Sequence, residues 1–97
     1  MIKHIVLFQF KPEKRDEVLI PFKTALESLM GVVKELKSIE VGVNCNPNEA
    51  WDLALVTTFD SMEDLQAYAV HPEHLKASAI IADAKQGRAC VDFTVIV

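Results

Sequence analysis

Residues 68–74 of the chain carry the side chains best suited to proton chemistry. This stretch contains the only tyrosine, Tyr68, and two of the three histidines, His71 and His74. Imidazole and phenol are the groups that most readily hold or move a proton near neutral pH. Pro72 lacks a backbone N–H and biases the residue before it away from the helical conformation, so one helix should end near Val70 and another should begin at Pro72. If the chain has a catalytic or binding site, we expect it at this junction.

Each of these residues also has a purely structural interpretation. Tyr68 can be an amphipathic core residue, and His71 can be a helix-boundary residue that bonds the backbone beside Pro72 rather than a ligand contact. His74, in the first turn of its helix, is equally compatible with a functional and a structural role. A metal site made by His71 and His74 is not expected, because their spacing lacks the i, i+4 geometry of zinc-binding helices.

The elements that must position these residues follow from hydrophobic periodicity. Residues 2–10 alternate as a strand, with His4, Val6, Phe8 and Phe10 on one face and apolar residues on the other as well. A helix opens at Pro12, and its apolar stripe should face the sheet; Pro21 should kink it or divide it. The stripe consists of Val18, Phe22, Leu26, Leu29 and Val33.

The second half of the chain repeats this alternation of elements. Residues 36–43 and 51–59 should form an antiparallel pair of strands across a loop rich in turn formers. A short helix capped by Asp60 or Ser61 delivers Tyr68, and the helix from Pro72 should run to about Lys85 and be ended by Gly87. Residues 88–97 should form the last strand. The prediction is a single α+β domain over residues 1–97, with the order β-α-β-β-α-β and one four-stranded antiparallel sheet.

Composition limits the possible partners. The 97 residues are 51% hydrophobic with a mean hydropathy of +0.20, more apolar than the interior of so small a domain requires. A second copy packed on the apolar outer face of the sheet is the expected outlet, which predicts a homodimer. The net charge of −4, with no basic stripe, argues against nucleic acid. No segment has the length of a membrane span, and no signal peptide is evident.

The two cysteines, Cys45 and Cys90, lie far apart and form no C-x-x-C pair. They are expected to be ordinary reduced thiols of a cytoplasmic protein.

Four segments of the chain resemble the stress-responsive A/B barrel domain (Dabb) family. They are residues 3–11 (KHIVLFQFK), residues 58–61 (TFDS), the Tyr-x-x-His-Pro-x-His block of residues 68–74, and residues 91–93 (VDF). The resemblance spans nearly the whole chain and implies a ferredoxin-like fold that pairs into a dimeric α+β barrel. In plant polyketide cyclases of this family, a tyrosine and a histidine act in a pocket between helices and sheet, supported by a histidine of the first strand. The residues at those positions are Tyr68, His74 and His4.

The resemblance implies a cofactor-independent aldol reaction that closes a ring. A neutral His74 would take the proton from a carbon beside a carbonyl, Tyr68 would donate to the oxygen, and His4 would orient His74 or the ligand. No metal or organic cofactor is expected. Ligand contacts beyond these three residues are expected from His71, Phe8, Phe10, Phe22, Leu26 and Ile81, whose apolar members suit a small apolar or carbonyl-containing molecule.

Three functional hypotheses remain open. The first is a homodimer with a small-molecule pocket that carries out acid-base chemistry with Tyr68 and His74. The second is a non-catalytic dimer, stress-associated or ligand-binding, in which the same residues only close the helix junction. A cofactor-free monooxygenase, as in other dimeric α+β barrel families, is a more distant third. A pocket that reaches Tyr68 and His74 would favour the first hypothesis.

Overall fold

Seven helices and strands follow one another along residues 1–96, the part of the chain that the computed structural model describes. In chain order they are β1 (Ile2–Phe10), α1 (Pro12–Glu27), β2 (Ser38–Val43), β3 (Leu53–Phe59), α2 (Met62–Ala69), α3 (Pro72–Ala79) and β4 (Lys85–Thr94). The predicted order is confirmed, including the division of the second helical region into two helices. None of the helices within residues 1–96 is long and apolar enough to span a membrane.

The four strands form one sheet in the order β2-β3-β1-β4, with every neighbouring pair antiparallel. This is a ferredoxin-like α+β fold, as the sequence predicts. β1 lies in the middle of the sheet, so its side chains are placed by neighbours on both sides. Across β1, His4 pairs with Thr57 of β3 and with Asp92 of β4.

The two faces of β1 are buried to different degrees. His4, Val6, Phe8 and Phe10 are buried on the face that the helices cover, whereas the residues between them are only half-buried. This difference follows from the two-residue period of a strand, which sends successive side chains to opposite faces. The core therefore lies between the helices and one face of the sheet.

The other face of the sheet has no helix on it, and we call it the open face. Register places Ile5 and Leu7 of β1, Val56 of β3, and Val91 and Phe93 of β4 on it. Val91 is 54% exposed and Phe93 is 43% exposed. A sheet face that carries aliphatic and aromatic side chains to water is typical of an interaction surface.

α1 passes through Pro21 as one helix, so of the two predicted outcomes the division at Pro21 does not occur. The helix ends at Glu27, and Leu29 and Val33 of the predicted stripe lie in the turns that follow it. Both side chains are nevertheless buried, at 3% and 1% exposure. Gly31 adopts a positive φ of 86° in these turns, a conformation that glycine permits at no steric cost and that cannot continue a helix.

The region between α3 and β4 corrects the predicted boundaries. α3 ends at Ala79 rather than near Lys85, and β4 starts at Lys85, so Gly87 lies within a strand and does not end a helix. β4 ends at Thr94, and Val97 lies outside the described residues. The physical reason is tertiary: the Lys11 N–H donates to the carbonyl of Ala84 at 2.8 Å, which holds the turn beside the end of β1. β2 and β3 each begin two residues later than predicted.

Candidate functional site

The break between α2 and α3 is made by a proline and a histidine. α2 ends at Ala69, and α3 begins at Pro72, where the missing N–H leaves no helical bond unmade. The ring of His71 caps α3, because its Nδ1 accepts a hydrogen bond from the Glu73 N–H at 3.1 Å. The predicted junction is confirmed, and in this structure His71 bonds the backbone.

His74 is held with one ring nitrogen bonded and the other free for chemistry. Its Nδ1 lies 3.0 Å from the carbonyl oxygen of Ala69, which can only accept, so Nδ1 carries the proton and Nε2 carries a lone pair. Burial lowers the pKa of His74; the hydrogen bond to Ala69 opposes this change, and the nearby His4 and Arg88 add to it. The result is a neutral imidazole, the form that can act as a base near neutral pH.

The phenol of Tyr68 packs directly on this imidazole. The two ring centroids are 4.5 Å apart with the planes tilted by 50°, and Phe59 lies 5.1 Å away from Tyr68. Tyr68 is 1% exposed, and burial raises its pKa to about 12, so the hydroxyl stays protonated. Within residues 1–96 the hydroxyl has no hydrogen-bond partner. A buried donor without a partner destabilises the fold, so it is a natural candidate for a group that bonds a ligand.

His4 reaches the same region from β1. Its Nδ1 hydrogen bonds the carboxylate of Asp92 on β4, its partner across the sheet, which fixes the orientation of the ring. Cys90 Sγ lies 3.5 Å from the same nitrogen. Desolvation raises the pKa of the Cys90 thiol, and Asp92 acts in the same direction while Arg88 opposes it.

These three side chains, His4, Cys90 and Asp92, bring together donor atoms that could bind a metal ion. The structure gives them another role. Nδ1 of His4 is bonded to Asp92, and Cys90 Sγ lies within hydrogen-bond distance of both groups. We therefore describe the trio as a hydrogen-bonded group that orients His4.

A cavity of about 100 Å³ lies between α3, the turn after it, and the sheet. His4 and His74 both line it, together with Ser78, Lys85, Arg88 and a wall of apolar side chains. It is smaller than the roughly 300 to 1,000 Å³ of sites for drug-sized ligands, so it fits one functional group or a short molecule. Tyr68 is not part of its lining and stands beside it through its contact with His74.

The predicted apolar contacts divide into two groups. Phe8 and Ile81 line the cavity. Phe10, Phe22 and Leu26 are fully buried in the core and do not line it. The ring of Phe22 meets Phe8 edge-on at 5.1 Å, which closes this part of the core without a gap for a ligand.

Three charged residues at the site, Lys85, Arg88 and Asp92, were missed by sequence reasoning. They reach it because β4 pairs with β1, which places Arg88 opposite Phe8 and Asp92 opposite His4. A signal existed in the alternation of Arg88, Cys90 and Asp92 with Ala89 and Val91, which marks two different faces of one strand.

A larger hollow of about 390 Å³ lies elsewhere, beside the loop between β2 and β3. Its lining includes Leu7, Val43, Cys45, Trp51 and Ala54 but neither a tyrosine nor a histidine. Volume alone would favour this hollow, but proton chemistry favours the smaller cavity, because the side chains able to move a proton are there.

Comparison with known proteins gives the family. The model of the Stress responsive A/B Barrel Domain (Dabb) family matches residues 2–95. The chain belongs to the Dabb family. The domain predicted from the four sequence segments is therefore confirmed as a family assignment.

Two solved structures and one characterised enzyme are similar to this Dabb domain. A dimeric protein of unknown function and ferredoxin-like fold from Bacteroides fragilis is 43% identical, with a TM-score of 0.93 over 97% of this chain and 95% of that one. A dimeric ferredoxin-like protein of unknown function from Thermobifida fusca is 32% identical, with a TM-score of 0.86 over 97% and 90%. Olivetolic acid cyclase from Cannabis sativa is 26% identical over 77 residues, 76% of each chain.

Proposed function

We propose that this Dabb domain binds a small carbonyl compound in the cavity between α3 and the sheet and moves a proton there with His74, without a cofactor. The observation that carries the proposal is the state of His74. Its Nδ1–H is held by the Ala69 carbonyl, and burial lowers its pKa, so Nε2 is a free base beside a cavity. General bases of enzymes are tuned by burial in this way.

The proposed step takes a proton from the carbon next to the carbonyl. The proton passes to Nε2 of His74, giving an imidazolium, while the electron pair of the C–H bond forms an enolate. Tyr68 stands beside the cavity, behind His74, and its hydroxyl is unpaired within residues 1–96. We infer that a ligand reaching past His74 places its enolate oxygen against this hydroxyl, whose raised pKa keeps it a donor. Asp92 holds His4 in position on the cavity wall. Ring closure by an aldol step, the chemistry we carry over from the cyclase resemblance, begins with such a proton removal.

A direct test is deuterium exchange at the α-carbons of a simple ketone, pentan-2-one, in D₂O, followed by proton NMR. The wild-type protein should exchange these protons faster than buffer, and His74→Gln should lower the rate by about 10²-fold or more. His71→Asn, which retains a capping side chain at the helix break, is the matched control and should exchange like the wild type. Equal rates for wild-type protein and buffer, or for wild type and His74→Gln, would contradict the proposal.

We further propose that the domain works as a homodimer in the cytoplasm. The open face carries exposed apolar side chains, and the similar proteins from Bacteroides fragilis and Thermobifida fusca are dimeric. Packing of two such faces would form the barrel from which the family takes its name. Cys45 and Cys90 are free and exposed, a state that a reducing compartment maintains.

Light scattering tests the dimer. The wild type should have twice the chain mass of 10.8 kDa. Leu7→Glu on the open face should abolish the dimer, because an unpaired buried charge costs several kcal/mol. Leu75→Glu introduces the same charge at a leucine of α3 that is 54% exposed, and it should remain dimeric. A monomeric wild type, or a dimeric Leu7→Glu variant, would contradict the open face as the interface.

The small volume of the cavity favours a second candidate, a stress-associated dimer without catalysis. In that case Tyr68 and His74 would serve only to join α2, α3 and the sheet. His74→Gln would then lower the thermal midpoint, and no exchange of the ketone protons would be measured for the wild type.

A further inference from the structure

We propose that Arg88 and Lys85 make the cavity selective for molecules that carry an anionic group, a carboxylate in particular, one carbon away from the carbonyl. The inference names the substrate class for the site of the proposed function and rests on that proposal for its location. It concerns binding, however, so it can be tested without any turnover.

The charge of the cavity lining is the first argument. Lys85 and Arg88 both line the cavity, and no aspartate or glutamate does. The other two cavities with a lysine or arginine in their walls also contain a carboxylate, such as Glu73 beside Lys76 or Asp52 beside Arg15. In a chain with a net charge of −4, a cavity that holds two cations and no anion stands out.

The second argument is that neither of these cations is neutralised by a carboxylate of the protein within residues 1–96. Within residues 1–96, neither Lys85 nor Arg88 forms an ion pair, although four ion pairs between a lysine or arginine and a carboxylate occur in that part of the chain. The nearest carboxylate on the same strand, Asp92, is already bonded to His4. Arg88 also hydrogen bonds the thiol of Cys90, a weak and neutral partner. The guanidinium has five N–H donors, so its planar fork can still bind a carboxylate in a bidentate manner.

The third argument is the position of Arg88 relative to the base. Arg88 lies opposite Phe8 on β4, two and four residues from Cys90 and Asp92, so all three start from the face under α3. Arg88 and His74 line the same cavity, one from the sheet and the other from α3. The nearby charge of Arg88 contributes to lowering the pKa of His74. Lys85 and Arg88 are both exposed, so an anion can reach them from water, and the cavity wall beside them includes the apolar Phe8 and Ile81.

The size of the cavity fits this arrangement. A volume of about 100 Å³ accommodates a carboxylate and a carbonyl joined through one carbon but not a long chain. If Arg88 on the sheet side binds the anionic group, the carbon between this group and the carbonyl faces His74 on α3. The cations would also offset the negative charge that develops on the enolate oxygen.

The test compares two probes of almost the same shape. Acetoacetate is a β-keto carboxylate, and pentane-2,4-dione replaces its carboxylate with a neutral acetyl group. Dissociation constants are measured by NMR titration of the His74 ring signals at low salt, with inorganic phosphate as a third probe. The wild type should bind acetoacetate at least about 10-fold more tightly than pentane-2,4-dione, as charge-assisted hydrogen bonds imply.

The variants separate charge at the cavity from charge in general. Arg88→Gln should weaken acetoacetate binding by about 10-fold or more and leave the affinity for pentane-2,4-dione unchanged, and Arg88→Lys should recover part of the loss. Lys34→Gln removes one charge from an exposed residue that does not line the cavity, and its affinities should equal those of the wild type. Far-UV circular dichroism and the unchanged affinity for the neutral probe show that each variant is folded.

Equal affinity for the charged and neutral probes, or an Arg88→Gln variant that binds acetoacetate like the wild type, would overturn the inference. Phosphate binding more tightly than acetoacetate, with the same dependence on Arg88, would overturn the carboxylate and assign the anionic group as a phosphate. Failure here leaves the His74-dependent exchange of pentan-2-one untouched. Conversely, absence of that exchange leaves the acetoacetate affinities untouched, so the two proposals fail separately.

Discussion

The two ends of the covered face of β1 are built differently. At one end, which we call the closed end, Phe10 and Phe22 pack edge-on at 6.1 Å in the filled core. Phe8 lies between the two ends, because it meets Phe22 edge-on at 5.1 Å and also lines the cavity. At the other end, which we call the cavity end, His4 lies near Tyr68 and His74 beside the cavity. The Tyr68 hydroxyl has no hydrogen-bond partner within residues 1–96. Both ends belong to the same strand and the same core layer. The core is completely filled where only apolar side chains meet, and it leaves a cavity where polar side chains are buried.

The cavity end therefore contributes less to the stability of the fold than the closed end does. A cavity forfeits dispersion contacts, and a buried hydroxyl without a partner forfeits hydrogen bonds to water. Functional sites commonly show this kind of local conflict with good packing. The comparison is open to experiment, because a variant at each end should affect a different property.

The largest effect is expected at the closed end. Phe22 is 1% exposed, and Phe22→Ala should lower the free energy of unfolding by about 3 to 5 kcal/mol, since it leaves a void among rigid rings. Urea denaturation at one fixed protein concentration measures this, because the stability of a dimer depends on concentration. Ile20→Ala on the same helix, at a residue that is 60% exposed, should change the stability by less than about 1 kcal/mol. Equal losses in the two variants would erase the contrast.

At the cavity end, Tyr68→Phe should affect activity rather than stability. Loss of the hydroxyl should lower the rate of ketone proton exchange by about 10²-fold, because the enolate oxygen loses its donor. The free energy of unfolding should stay the same or rise by up to about 1 kcal/mol, since an unpaired buried hydroxyl is removed. Parallel measurement of exchange and urea unfolding tests both halves. A stability loss as large as that of Phe22→Ala would show that both ends are structural.

The smallest effect concerns pH. The pKa of His74 in the folded chain lies below its ordinary value of 6.5, so below that pH the unfolded chain binds this proton first. Stability from the neutral ring is thus fully present above about pH 6.5 and decreases as pH falls toward the lowered pKa. Urea midpoints at pH 7.5 and 5.5 should fall more for the wild type than for His74→Gln. An equal fall in both proteins would mean that His74 is not buried as a neutral base.

Local features of the site were predictable from the sequence. The alternation along β1 placed His4 on the covered face, and Pro72 placed the break between α2 and α3 beside Tyr68 and His74. Each of these features depends on residues within a few positions of one another. For that reason, strand period and proline chemistry are sufficient to find them.

Arg88 and Asp92 were not predictable, since their presence at the site depends on the register of β4 against β1. His4 and Asp92 are 88 positions apart in the chain, and no local pattern fixes which residue of one strand meets which residue of the other. The end of α3 was misplaced for a related reason. Ile81 and Ala84 are buried in turns and would be equally compatible with one more helical turn.

The helix break also determines how the backbone is connected to the imidazole of His74. In an uninterrupted helix the Ala69 carbonyl would accept from the N–H of residue 73, four positions later. Here that N–H donates instead to the ring of His71, which leaves the Ala69 oxygen free to accept from Nδ1 of His74. The ring of His71 thus accepts a hydrogen bond from the main chain, and the ring of His74 donates one to it. Pro72, two residues before His74, therefore determines which ring nitrogen of His74 carries the proton. Restoring a continuous helix would leave both histidine rings intact, but His74 would lose the Ala69 carbonyl that holds its Nδ1–H.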